Sequence, residues 1–96
     1  MTLAAPLDEL APGVLGYAME DGGELWIPVI IAANPGTGQV SAFLDGLPRD
    51  QTICVPEVVS PRLAGMLLRR GFRPEKRFFA EVGCWGEVFV RRGEER

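Results

Sequence analysis

The sequence predicts a small mixed α/β sheet with a short parallel centre, its elements in the order β-β-α-β-α-β-β. Three observations carry that prediction. An almost continuous apolar run, Leu25 to Ala33, passes directly into a glycine turn and then into a helical apolar pattern. A second short run, Gln51 to Val55, is followed by the helix start Ser60-Pro61. Two more β-patterned runs flank Gly83 near the C-terminal end.

Each element follows from its residues. Residues 1–12 hold Pro6 and Pro12 around a short Leu-Asp-Glu-Leu segment, which predicts a loop or one helical turn. Val14 to Glu20 reads as a strand, ended by the turn signal Asp21-Gly22-Gly23. From Glu24 to Ala33 nearly every residue is apolar and Ile27, Val29, Ile30 and Ile31 are β-branched, the pattern of a strand buried on both faces. Pro28 lacks the N–H a ladder needs, so a bulge or a splayed position is expected there.

Asn34-Pro35-Gly36-Thr37-Gly38 stops that strand and opens a helix in which Val40, Phe43, Leu44 and Leu47 share one face. Gly46 and Pro48 end it. A helix that returns the chain to the sheet favours a parallel crossover, which makes Gln51 to Val55 the second buried strand. Ser60 at N-cap with Pro61 at the first helical position begins the next helix, and Gly71 stands where a left-handed C-cap belongs. Lys76 to Val82 and Trp85 to Arg91 form a closing hairpin around Gly83, and residues 93–96 a frayed tail. Trp26, Phe43, Phe72 and Phe89 are assigned to the core.

Composition excludes several classes of function. Ninety-six residues make one domain, and a chain of that size buries somewhat over about 60% of its unfolded surface. With 47% hydrophobic and 24% charged residues it is a globular sequence, not a disordered one. The longest apolar run is far short of the roughly 18 residues that span a bilayer, and the first ten residues lack a basic start, so neither a membrane span nor a signal peptide is expected. The expected compartment is the cytoplasm, and Cys54 and Cys84 are expected as free thiols. Histidine is absent, which rules out Cys-His and Ser-His nucleophile pairs and His-ligated metal; a base must be a carboxylate, amine, thiolate or water chain. Residues 1–48 contain six acids and no Lys or Arg, whereas residues 49–96 contain ten bases and seven acids. A pI near 4.9 argues against nucleic acid as a partner.

A strand running into a glycine turn and then a helix can cradle phosphate on free backbone N–H groups, and Gly36-Thr37-Gly38 stands in that context. The same turn also serves to end a strand sterically. It lacks the Gly-Lys-Ser/Thr of a P-loop and the third glycine of a dinucleotide fingerprint.

From about Gly13 the chain resembles the acyl-CoA-binding half of the GNAT N-acetyltransferase superfamily, a truncated form similar to small bacteriophage-encoded members. The resemblance rests on Ala33-Asn34-Pro35-Gly36-Thr37-Gly38 as the loop of form Q/R-x-x-G-x-G/A, on Thr52-Ile53-Cys54-Val55-Pro56-Glu57 as the second parallel strand, on the helix of Ser60 to Leu67 ending at Arg70-Gly71-Phe72, and on the hairpin. It implies acetyl-CoA or CoA as ligand, with the diphosphate on Gly36, Thr37 and Gly38 and the thioester carbonyl on the backbone of Val29, Ile30 and Ile31. Ser60 stands where that family often has an Asn touching CoA, and Arg69 and Arg70 could meet the 3′-phosphate or simply complement a helix dipole. Glu24 is the implied general base, directly or through water, with Glu20 and Asp21 as rivals.

Besides Ser60 in place of Asn, two positions and the length of the N-terminal segment depart from the family pattern. Ala33 replaces the Gln or Arg of the loop, Leu67 stands where a proton-donating Tyr is common, and the segment before Gly13 is too short for the first strand and two helices that shape the acceptor site. Two functions follow: an acyl-CoA-dependent transferase acting on an amine such as a lysine, or a non-catalytic GNAT-like interaction or structural module in a host cytoplasm or a virion. Without the N-terminal elements an open sheet edge is expected at Val14 to Glu20, and with it a homo-oligomer or larger assembly.

Overall fold

A computed structural model describes residues 8–94. Strands β1 (Asp8–Ala11), β2 (Val14–Asp21), β3 (Glu24–Ala32), β4 (Ile53–Pro56), β5 (Arg73–Phe79) and β6 (Cys84–Arg91) form one sheet in the order β1-β2-β3-β4-β6-β5. Helix α1 (Gln39–Asp45) links β3 to β4, and α2 (Pro61–Leu68) links β4 to β5. Only β3 and β4 run parallel. The result is the small mixed sheet with a short parallel centre read from the sequence, and its strand order matches a GNAT-like topology.

Asp8–Ala11 is a strand, not a loop or helical turn, and pairs antiparallel with β2 from Asp8↔Gly16 to Ala11↔Val14. Four residues with two acids carry almost no strand signal of their own; pairing with β2 supplies it. The edge expected to be open from Val14 is therefore covered as far as Gly16. The part of the early segment before Asp8 lies outside the described residues.

Pro28 makes the bulge its chemistry demands. Tyr17 opposes Val29 and Met19 opposes Trp26, so Ala18 alone faces Ile27 and Pro28 together. Gly16 lets β2 close over the distorted strand, since a Cβ there would collide with the Val29 carbonyl oxygen. The extra residue also flips the side-chain alternation: Leu25 and Ile27 before it, and Ile30 after it, all reach the same core.

That core joins Ile27, Ile53, Val55 and Phe89 of the sheet to Leu44 of α1 and Leu67 of α2, with Leu47 and Phe72 beside them. Cys54, Val88 and Val90 alternate with these residues and form a separate, smaller cluster with Trp26 and Phe79. Both helices thus lie on one face of the sheet. This corrects the expectation that β3 is buried on both faces: Pro28 and Ile31 are exposed.

Helix α2 begins and ends as its residues dictate. The Leu63 N–H donates to Ser60 Oγ at 3.2 Å, the Gly71 N–H to the Leu68 carbonyl at 3.2 Å and the Phe72 N–H to the Leu67 carbonyl at 3.1 Å. The last two bonds, with Gly71 at φ 89°, make a Schellman C-cap that seals Leu67 against Phe72. The hairpin starts three residues earlier than its apolar pattern suggested, because Pro74 is tolerated on the sheet's outermost strand. No helix among the described residues is long and apolar enough to cross a membrane.

Candidate functional site

The two parallel strands diverge almost as soon as they meet. β3 and β4 pair only at Leu25↔Ile53 and Trp26↔Cys54, after which β3 continues to Ala32 and β4 to Pro56. The opening between them is a cavity of about 230 Å³, walled by Ile27 to Ile30 on one side and Val55 to Ser60 on the other. A second cavity of about 220 Å³ adjoins it and shares Ile30, Ser60 and Leu63. Its far wall is the loop Asn34 to Gly38 and the first turn of α1. Together they form one groove on the helix-bearing side, apolar along most of its length.

The loop holds its shape through glycine backbone and one side chain. Gly36 and Gly38 sit at φ 86° and 78°, which residues bearing a Cβ rarely adopt, and nothing lies within 4 Å of where a Cβ would stand on either. The Thr37 hydroxyl donates to the Asn34 carbonyl at 2.7 Å and closes the turn. No side chain caps α1; Gly38 occupies the N-cap. The backbone face of the turn is therefore open to whatever enters the groove.

Six of the ten residues singled out from the sequence meet here. Ile30, Gly36, Thr37, Gly38 and Ser60 line the cavity at the loop, and Val29 with Ile30 lines the opening between the strands. Ile31 stands between these and Ala32 on β3 but points outward, 43% exposed. Ser60 accepts the α2 capping bond.

The other three lie elsewhere. Arg69 and Arg70 are at the opposite end of α2 from Ser60. Arg70 Nε binds Asp45 Oδ1 at 2.8 Å and its Nη1 donates to the Met66 carbonyl at 2.9 Å, tying the ends of the two helices together. Arg73 Nη1 donates to the Phe72 and Leu68 carbonyls at 2.8 and 3.3 Å. These contacts suit arginines at a helix C-terminus, where free carbonyls and the dipole both favour cations.

Glu24 is at the far end of β3 from the loop, near the helix-free face. Its carboxylate faces Arg77 at 3.2 Å and Arg92 at 4.0 Å, while Glu75 holds Arg92 at 2.8 Å and Arg77 at 3.7 Å. The Arg77 hydrogen bond holds the Glu24 carboxyl below its ordinary value, against the opposing effect of burial. A carboxylate held in that state is a weak proton acceptor. Beneath this charged cover, Arg77 stacks 5.7 Å over the Trp26 ring, and burial, with Glu24 nearby, pushes the Cys54 thiol up to about 11. The four charged side chains roof the small apolar cluster that no helix covers.

Two residues in the groove were not singled out from the sequence. Arg62 lines the cavity opposite the glycine loop and is in no ion pair among the described residues. Its signal was position: the second residue of a helix starting Ser-Pro lies in the first turn, at the same end as the Ser60 that lines the cavity. Glu57 lines the opening between the strands and has φ 55°, for which no sequence signal exists. Comparison of the chain with protein-family models, with curated proteins and with solved structures finds no match.

Proposed function

We propose that the groove between β3 and β4 binds an acyl-CoA, with its diphosphate at Gly36 to Gly38 and its pantetheine arm along the apolar walls. The observation that carries this reading is the divergence of two parallel strands after two paired positions, directly into an open glycine turn. A linear, partly apolar ligand suits such a gap, because unpaired strand N–H and C=O groups face it. Arg62 supplies the cation that Ala33 does not, from the opposite wall. An acyl-CoA would bring an activated thioester to the β3 side of the gap, where Val29 and Ile30 line it. Transfer to an amine such as a lysine is the reaction that this placement supports.

The condition of Glu24 favours a second reading, a non-catalytic module that acts by binding a partner or by self-association. Its carboxylate is paired with two arginines and stands apart from the groove, so the residue implied as base is used to cover the helix-free face. Calorimetric titration with acetyl-CoA and CoA, followed by an assay of thiol release with a lysine-containing peptide, separates the cases. Micromolar binding with turnover supports the transferase, binding without turnover the module, and no heat at millimolar ligand removes the CoA site altogether.

A further inference from the structure

Only half of β6 is held by β4. The ladder runs from Ile53↔Arg91 to Pro56↔Val88, so the β4-side edge of Cys84–Glu87 carries no strand among the described residues. The chain leaves the sheet at that point: Glu57, directly after Pro56, is the only non-glycine residue with positive φ among the described residues. On the same stretch Trp85 stands opposite Phe78, 67% and 53% exposed, with their rings edge-to-face at 5.6 Å. Strand alternation puts Trp85 on the face of Phe89, the side that bears the helices.

The charge around this edge is one-sided. Glu87 is on the strand, Glu81 in the turn that closes the hairpin, and Glu57 where β4 departs. None is in an ion pair among the described residues, and the one cation paired in register with them is Lys76, opposite Glu87.

We propose that Cys84–Glu87 is a docking strand for an extended cationic peptide. The peptide backbone adds to the free edge, an apolar side chain rests on Trp85 and Phe78, and a lysine or arginine meets Glu57 or Glu87. A second copy of this chain is the poorer occupant, because it brings the same acids, Glu57, Glu81 and Glu87, to an edge that is already acidic. The surface does not depend on the CoA reading; if both hold, the peptide is the acceptor.

The test is an amide chemical-shift titration of the full chain with an end-blocked hexapeptide of alternating valine and lysine. The same peptide with glutamate for lysine is the control. Shifts should cluster at Cys84–Glu87, weaken as salt is raised, and be absent with the glutamate peptide. Trp85→Ser and Glu87→Gln should each weaken binding by about threefold to tenfold while leaving CoA titrations unchanged. Shifts on the outer edge of β1 or β5, no shifts at millimolar peptide, or equal affinity for both peptides would overturn the proposal. So would a Trp85-dependent dimer in sedimentation that the lysine peptide does not dissociate. The wild-type shift map decides even if a variant folds poorly.

Discussion

Replacing Gly38 by Asp tests the glycine turn against its simplest alternative, a turn with no ligand. At φ 78° an L-residue is disfavoured, and the space around the new Cβ is open, so the stability cost is that of the backbone alone, about 1 kcal/mol. For a domain of this size that lowers Tm by roughly 4–8 °C. The effect on a bound diphosphate is of another kind. A carboxylate placed about 4 Å from a phosphate charge is repelled by about 1 kcal/mol in water and up to about 4 kcal/mol near a protein surface, a loss of affinity from about fivefold to several hundredfold. Gly22→Asp is the matched control: φ 61°, nothing within 4 Å of its Cβ position, in the β2–β3 turn at the other end of β3. Gly38→Asn supplies the shape without the charge. Calorimetry with CoA and thermal melts on all three should show similar Tm losses, with a large affinity loss for Gly38→Asp alone. Equal CoA affinities for Gly38→Asp and Gly22→Asp would mean that the turn at Gly38 holds no diphosphate.

Other substitutions separate binding from structure. Arg62→Ala should weaken CoA binding by about tenfold with little change in Tm, since the side chain is exposed and unpaired; Arg70→Ala should do the reverse, losing about 1 kcal/mol with the Asp45 bridge while binding is kept. Glu24 has its folded pKa lowered, so its contribution to stability is present above its ordinary value of 4.5 and is lost as pH falls through the folded pKa. Glu24→Gln should therefore destabilise by about 1 kcal/mol at pH 7 and by much less near pH 3 in urea melts, without affecting CoA titration. A thiol reagent at pH 8 should modify Cys84 promptly and Cys54 only on unfolding, since Cys54 is buried with its thiol pushed up to about 11. Two fast thiols would contradict the packing beneath Arg77.

Much of the fold was legible because its local signals agree with its tertiary packing. Ser60-Pro61 and Gly71-Phe72 mark the ends of α2 by chemistry that needs no context, and Pro28, which has no N–H to give a ladder, stands in the bulge expected of it. What escaped was set by context. Asp8–Ala11 becomes a strand only because β2 lies beside it. The helix-free face of β3 could not be told from a buried one, since Trp26 looks the same under a helix or under the Arg77 roof. Val29, Ile30 and Gly36 to Gly38, close together in the sequence, line one groove, whereas Ile31 points outward and Glu24 and Arg70 are engaged by Arg77 and Asp45, which lie 53 and 25 positions away. Sequence shows which charges exist, but only the fold shows which are already paired.

Whether the β3–β4 groove and its glycine turn hold CoA is a question of which amides the ligand reaches. An amide chemical-shift map of the protein titrated with CoA tests it most directly. Perturbations are expected at Asn34 to Gly38, at Ser60 to Met66 and along Val29 and Ile30, with Glu24 and Arg77 unmoved. No perturbation at millimolar CoA, or one centred on the Glu24–Arg77 face, would contradict CoA binding in the groove.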